Sequence, residues 1–72
     1  MIIESFSKVL RDLRMKRHLS QEKLAELCDL DRTYISMLER GLRQPTITTL
    51  FQICSALDVA PSEFVRQMEE LI

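Results

Sequence analysis

Between Leu19 and Arg43 the chain reads LSQEKLAELCDLDRTYISMLERGLR, and one arrangement occurs in it twice. Ser20 is a good helix N-cap, because its hydroxyl can accept an otherwise orphaned backbone N–H. Leu19 before the cap and Leu24 after it stand at the spacing of a hydrophobic staple. Asp31 repeats the cap eleven residues later, with Leu30 and Ile35 at the same staple positions. Cys28-Asp29-Leu30 then leaves room only for a tight turn between two short helices.

The apolar residues inside this unit suit two crossing helices. Leu24, Leu27 and Cys28 are expected on one face of the first, and Ile35 and Leu38 on one face of the second. Ala25 is small enough to let the helices approach closely. Arg32, Thr33, Ser36, Met37 and Arg40 are left over on the second helix, a mostly polar surface with two positive charges. Such a face fits the major groove of DNA, where side chains read base edges. An ordinary solvated helix face has the same composition, and periodicity alone does not separate the two.

Seventy-two residues make one small domain, residues 1–72, too short for two independent cores. With one glycine and two prolines in a chain that is 46% hydrophobic, an all-helical fold is expected. The breakers Gly41, Pro45 and Pro61 all fall between periodic segments. The net charge of −1 does not announce a polyanionic partner, but its distribution is uneven. Residues 1–43 hold nine Lys/Arg against seven Asp/Glu, and residues 44–72 hold one against four. A mildly basic working half with an acidic remainder would give this pattern, and so would a solvated helical surface.

Cys28 and Cys54 sit in apolar helical patterns and read as buried thiols rather than a disulfide or metal ligands. His18 stands alone and reads as a surface residue. No glycine-rich phosphate loop, metal-ligand cluster or nucleophile–base constellation is visible, so neither an enzyme nor a cofactor is expected. The N-terminus has no basic region leading into a long apolar run, and no apolar stretch approaches about 18 residues. A cytoplasmic protein without membrane contact is the expectation.

Along the chain, Ile3, Phe6, Val9, Leu10 and Leu13 recur at helical spacing and predict a first helix over about 3–16. Basic residues crowd its second half, where they suit the helix dipole. The second helix should run over about 21–28 and the third over about 32–40, ending at Gly41 as a left-handed C-cap. A fourth helix is expected over about 46–57. Its apolar set of Ile47, Leu50, Phe51, Ile53, Cys54 and Leu57 is wide enough for more than one buried face. Pro61 suits the first position of a fifth, with Val59 and Phe64 as a third staple. Phe64, Val65 and Met68, with Leu71 and Ile72, exceed what one small core can use, and a homodimer interface is expected there.

The order and spacing of Ser20-Gln21, Ala25, Ile35, Leu38-Glu39 and Gly41 resemble the Cro/repressor-type (XRE-type) helix-turn-helix regulators. More narrowly, Leu30-Asp31-Arg32-Thr33-Tyr34-Ile35-Ser36 followed by Glu39-Arg40 resembles the controller proteins of restriction–modification systems. Asp29 departs from the family's frequent turn glycine, and Met37 stands where controllers often have glycine. The resemblance implies an all-α, lambda-repressor-like bundle of five helices whose third helix reads double-stranded DNA. Arg32, Thr33, Ser36 and Tyr34 are then the candidate base readers, with Tyr34 divided between packing and a contact through its hydroxyl.

Gln21, Lys23, Arg40 and Arg43 are the corresponding candidates for the DNA backbone, although Gln21 could instead brace a side chain of the third helix. The family also pairs Arg14 with Glu39, whereas on the residues alone Arg14 reads as exposed. A palindromic operator, a homodimer, two dimers on one operator and contact with RNA polymerase are the partners implied. Control of a restriction–modification system and of the protein's own gene would be the role. A phage- or plasmid-type repressor on the same fold is the alternative, and a protein-interaction module that has lost DNA binding is a third.

Overall fold

The computed structural model describes residues 1–72 as five α-helices without a strand. They are α1 (Ile2–Lys16), α2 (Gln21–Leu27), α3 (Arg32–Glu39), α4 (Ile47–Leu57) and α5 (Pro61–Glu70). The starts of α2, α3 and α4 follow from their caps. The Ser20 hydroxyl accepts the Lys23 N–H at 2.9 Å, the Asp31 carboxylate accepts the Thr33 N–H at 2.7 Å, and the Thr46 hydroxyl accepts the Thr49 N–H at 3.0 Å. Pro61 occupies the first turn of α5, where its missing N–H costs nothing.

The ends of α1, α2, α3 and α4 share one device. His18, Asp29, Gly41 and Asp58 all have positive φ, between 55° and 72°. In each case the next residue, Leu19, Leu30, Leu42 or Val59, donates its N–H five positions back, to Arg14, Ala25, Met37 or Cys54. This closes the last turn and satisfies carbonyls that a helix end leaves orphaned. Glycine adopts the left-handed conformation freely, whereas each of the other three residues bears roughly 1–2 kcal/mol of strain against its two turn-closing hydrogen bonds. Leu19, Leu30 and Val59 then precede the cap of the following helix and pack against the core.

The core gathers Leu10, Leu24, Ile35, Leu38, Ile53, Cys54, Leu57 and Phe64, all essentially inaccessible. In it α1 packs on α3 and α5, α2 on α3 and α4, and α4 on α5. The Phe6 and Phe64 rings meet at 5.1 Å between centroids, tilted by 43°. Buried hydroxyls are all satisfied: Ser5 donates to the Ile2 carbonyl, and Ser7 lies between the Ile3 and Leu38 carbonyls. Cys28 and Cys54 are buried free thiols, and burial pushes the Cys54 thiol up to about 11.

Three expectations need correction. Leu27 is half exposed, because the buried stripe of α2 runs through Leu24, Ala25 and Cys28 and leaves Leu27 on its flank. In α4 the covered residues are Thr49, Leu50, Ile53, Cys54 and Leu57, while Ile47 and Phe51 stand 71% and 57% exposed. Phe64 is wholly buried against Phe6, one turn after Pro61, so it belongs to the core and cannot serve a dimer interface. Val65 is 39% exposed and Met68 is half-buried. Together with Ile2, Ile47 and Leu50 they line a groove of about 200 Å³ between α1, α4 and α5.

Candidate nucleic-acid interface

The outward face of α3 is set by what its inward face buries. Ile35, Leu38 and Glu39 point in, so Arg32, Thr33 and Arg40 are exposed and Tyr34, Ser36 and Met37 lie at the margin. The turn from α2 into α3 depends on Asp29, whose φ of 57° lets Leu30 bond back to the Ala25 carbonyl at 2.9 Å. Asp tolerates this conformation better than most residues, so the departure from glycine leaves the turn intact.

Behind that face lies a buried charge network. Arg14 donates from Nε to Glu39 Oε2 at 2.6 Å and from Nη2 to Oε1 at 3.0 Å. Its Nη1 donates to the Leu19 carbonyl at 2.7 Å, and Gln21 Nε2 donates to Glu39 Oε1 at 3.1 Å. Side-chain exposure is 13% for Arg14 and 3% for Glu39, so the two charges depend on each other rather than on water. One carboxylate therefore ties α1, the start of α2 and the end of α3 together. Of the two roles open to Gln21, the geometry displays the brace.

The remaining candidates lie on the surface. Arg32, Arg40 and Arg43 are exposed, and none of the three guanidiniums is in an ion pair within the chain. Arg40 Nε lies 3.4 Å from the Ser36 carbonyl, a loose tether. Lys23 Nζ lies 3.5 Å from Glu26 Oε1, an exposed pair that holds it weakly. The Arg43 guanidinium sits over the Tyr34 ring, 5.8 Å from its centroid. No periodicity in the sequence signals this last contact, since Arg43 lies in a loop whose path the pattern does not define. The Ser7 contact to α3 leaves no signal in the sequence either, because a helical serine is ordinarily a surface residue.

Uncompensated positive charge on an exposed helix, held rigidly from behind, is a surface suited to a polyanion. Fold and site together define a helix-turn-helix domain. The helix-turn-helix family model matches residues 10–64 of the chain. The control protein C.BamHI of Bacillus amyloliquefaciens is 44% identical over 61 residues, which span 83% of this chain and 75% of that protein. The restriction–modification controller protein C.AhdI from Aeromonas hydrophila superposes with a TM-score of 0.84 at 40% identity, covering 86% of this chain and 94% of that one. The controller protein C.Esp1396I, solved as a tetramer with its natural 35 base-pair operator, gives a TM-score of 0.91 at 34% identity, covering 97% and 92%. The chain therefore belongs to the helix-turn-helix family, among the control proteins of restriction–modification systems. This is a family of DNA-binding regulators rather than of enzymes. No helix is long and apolar enough to cross a membrane.

Proposed function

We propose that this protein is a sequence-specific DNA-binding transcriptional regulator that controls a restriction–modification system and its own gene. The observation that carries the reading is the exposed face of α3, where Arg32 and Arg40 stand without a carboxylate partner over a buried Arg14–Glu39 brace. Arg32 reads bases, since a guanidinium can donate two hydrogen bonds to guanine O6 and N7. Thr33, Ser36 and Tyr34 flank it on the same helix. Arg40, Arg43, Lys23 and the first turn of α2 at Gln21 hold the phosphates, which position the protein without specifying sequence.

The protein acts as a homodimer, and Val65 and Met68, with Ile47 beside them, form the contact. Their partial exposure around one apolar groove supports this, as does the tetrameric assembly of C.Esp1396I on its operator. Two such dimers on one operator, and contact with RNA polymerase, would extend the same role. Its DNA target places the protein in the cytoplasm. Selection of bound duplexes from a random pool tests the function. The expected product is an inverted repeat with half-sites about one helical turn, roughly 34–36 Å, apart. A pool without an enriched sequence would contradict it.

A further inference from the structure

We infer that Met37 is a specificity-determining residue whose apolar side chain reads the C5 methyl group of one thymine in each half-site. The inference rests on the functional reading above and adds a base contact that hydrogen bonding cannot supply. Ile35, Leu38 and Glu39 are the buried residues of α3. At about 100° per residue, Thr33 and Met37 both point within roughly 30° of the direction opposite that buried stripe, with Arg40 close beside them. Met37 is nevertheless apolar and half-buried. Unlike Tyr34 on the same helix, it does not pack against the core.

The turn that closes α3 lies beside it. Gly41 has a φ of 72°, and the Leu42 N–H donates to the Met37 carbonyl at 2.9 Å. Apolar side chains at these two positions of such a turn frequently meet. Leu42 is itself 60% exposed, so the two residues add apolar surface to the outside of the domain rather than to its core. A methionine offers no donor and no charge, and its sulfur is a weak acceptor, so it can neither clamp a phosphate nor hydrogen-bond a base edge well. Of the four bases only thymine presents an apolar group in the major groove, its C5 methyl. An unbranched, polarisable side chain adapts readily to that contact. Met37 stands about 7–8 Å along the helix axis from Arg32, roughly twice the rise of about 3.4 Å between base pairs, so the two residues read different pairs.

The test replaces each thymine on either strand of one selected half-site in turn by deoxyuridine, which lacks only the C5 methyl. Wild type, Met37→Ala and Met37→Leu are titrated against the whole series. At one substituted position the wild type should bind about three- to fivefold more weakly, the worth of one buried methyl group. Met37→Ala should bind the unmodified duplex more weakly by a similar factor per half-site, with discrimination relaxed at that pair alone. It should lose nothing further when that pair carries deoxyuridine. Met37→Leu keeps an apolar side chain and should keep the sensitivity. A purely structural role would instead weaken every duplex alike and leave the methyl effect in place, which would overturn the inference. So would a half-site without thymine, a wild type indifferent to every deoxyuridine, or a methyl effect that persists in Met37→Ala and so belongs to Thr33. In each of these cases the functional reading stands. A wild type without any sequence preference would overturn both.

Discussion

The Ser7 hydroxyl donates to the Leu38 carbonyl at 2.7 Å, bridging 31 positions of sequence between α1 and the last turn of α3. The next residue of α3, Glu39, is held by Arg14, two turns further along α1. Two side chains of one helix thus grip two successive residues of another. Because α3 presents Arg32 and Thr33 from its opposite end, this double grip sets the angle at which they emerge. The buried side of α1 thus supports the proposed recognition face from behind.

Ser7→Ala should cost about 1–2 kcal/mol, since the Leu38 carbonyl loses a buried donor yet keeps the Gly41 N–H. Urea unfolding with an unchanged slope would measure it. A variant as stable as its parent would show that the Gly41 contact suffices.

Arg14→Ala and Glu39→Ala should each destabilise the fold by roughly 3–5 kcal/mol, because each strands a buried charge. The double variant should lose less than the sum, as interacting neighbours are not additive. Glu39→Gln keeps the shape and one acceptor and should fall between. Strict additivity in the cycle would show that the two side chains do not stabilise each other.

Val65→Asp should leave the monomer folded, since Val65 is 39% exposed, while weakening self-association and operator binding without touching a DNA contact. The loss should shrink as protein concentration rises. Phe64→Asp should instead unfold the chain, because Phe64 has no exposed surface. Sedimentation of both variants and the wild type at micromolar concentration, beside DNA titration, separates these outcomes. A wild-type monomer that binds one half-site as tightly as the whole palindrome would dismiss the dimer.

How far this fold can be read from sequence depends on which physical signal each feature leaves. Ser20, Asp31 and Pro61 announce helix starts because few residue types perform that job, and all three stand where expected. The left-handed turn at Gly41 was legible for the same reason, and that at Asp29 only through the resemblance, whose members often place a turn glycine there. Those at His18 and Asp58 were not, since nothing in a histidine or aspartate requires positive φ. Periodicity placed Leu24, Ile35 and Leu38 in the core but could not say that Phe64 turns inward while adjacent Val65 does not. That choice belongs to Phe6 on α1, a neighbour distant in sequence. The Arg14–Glu39 pair came from family resemblance, because charge pattern alone left Arg14 exposed.

Base readout by the exposed end of α3 is tested most directly by Arg32→Ala, titrated against the selected operator and against every single-base variant of one half-site. Loss of about 1–3 kcal/mol on the preferred site is expected, with discrimination relaxed at one position per half-site and retained elsewhere. Arg43→Ala, measured alongside, should weaken all sequences alike and make the salt dependence shallower by about one. If Arg32→Ala keeps both the affinity and the full base preference of the wild type, α3 does not read DNA through this residue and the assigned face is wrong.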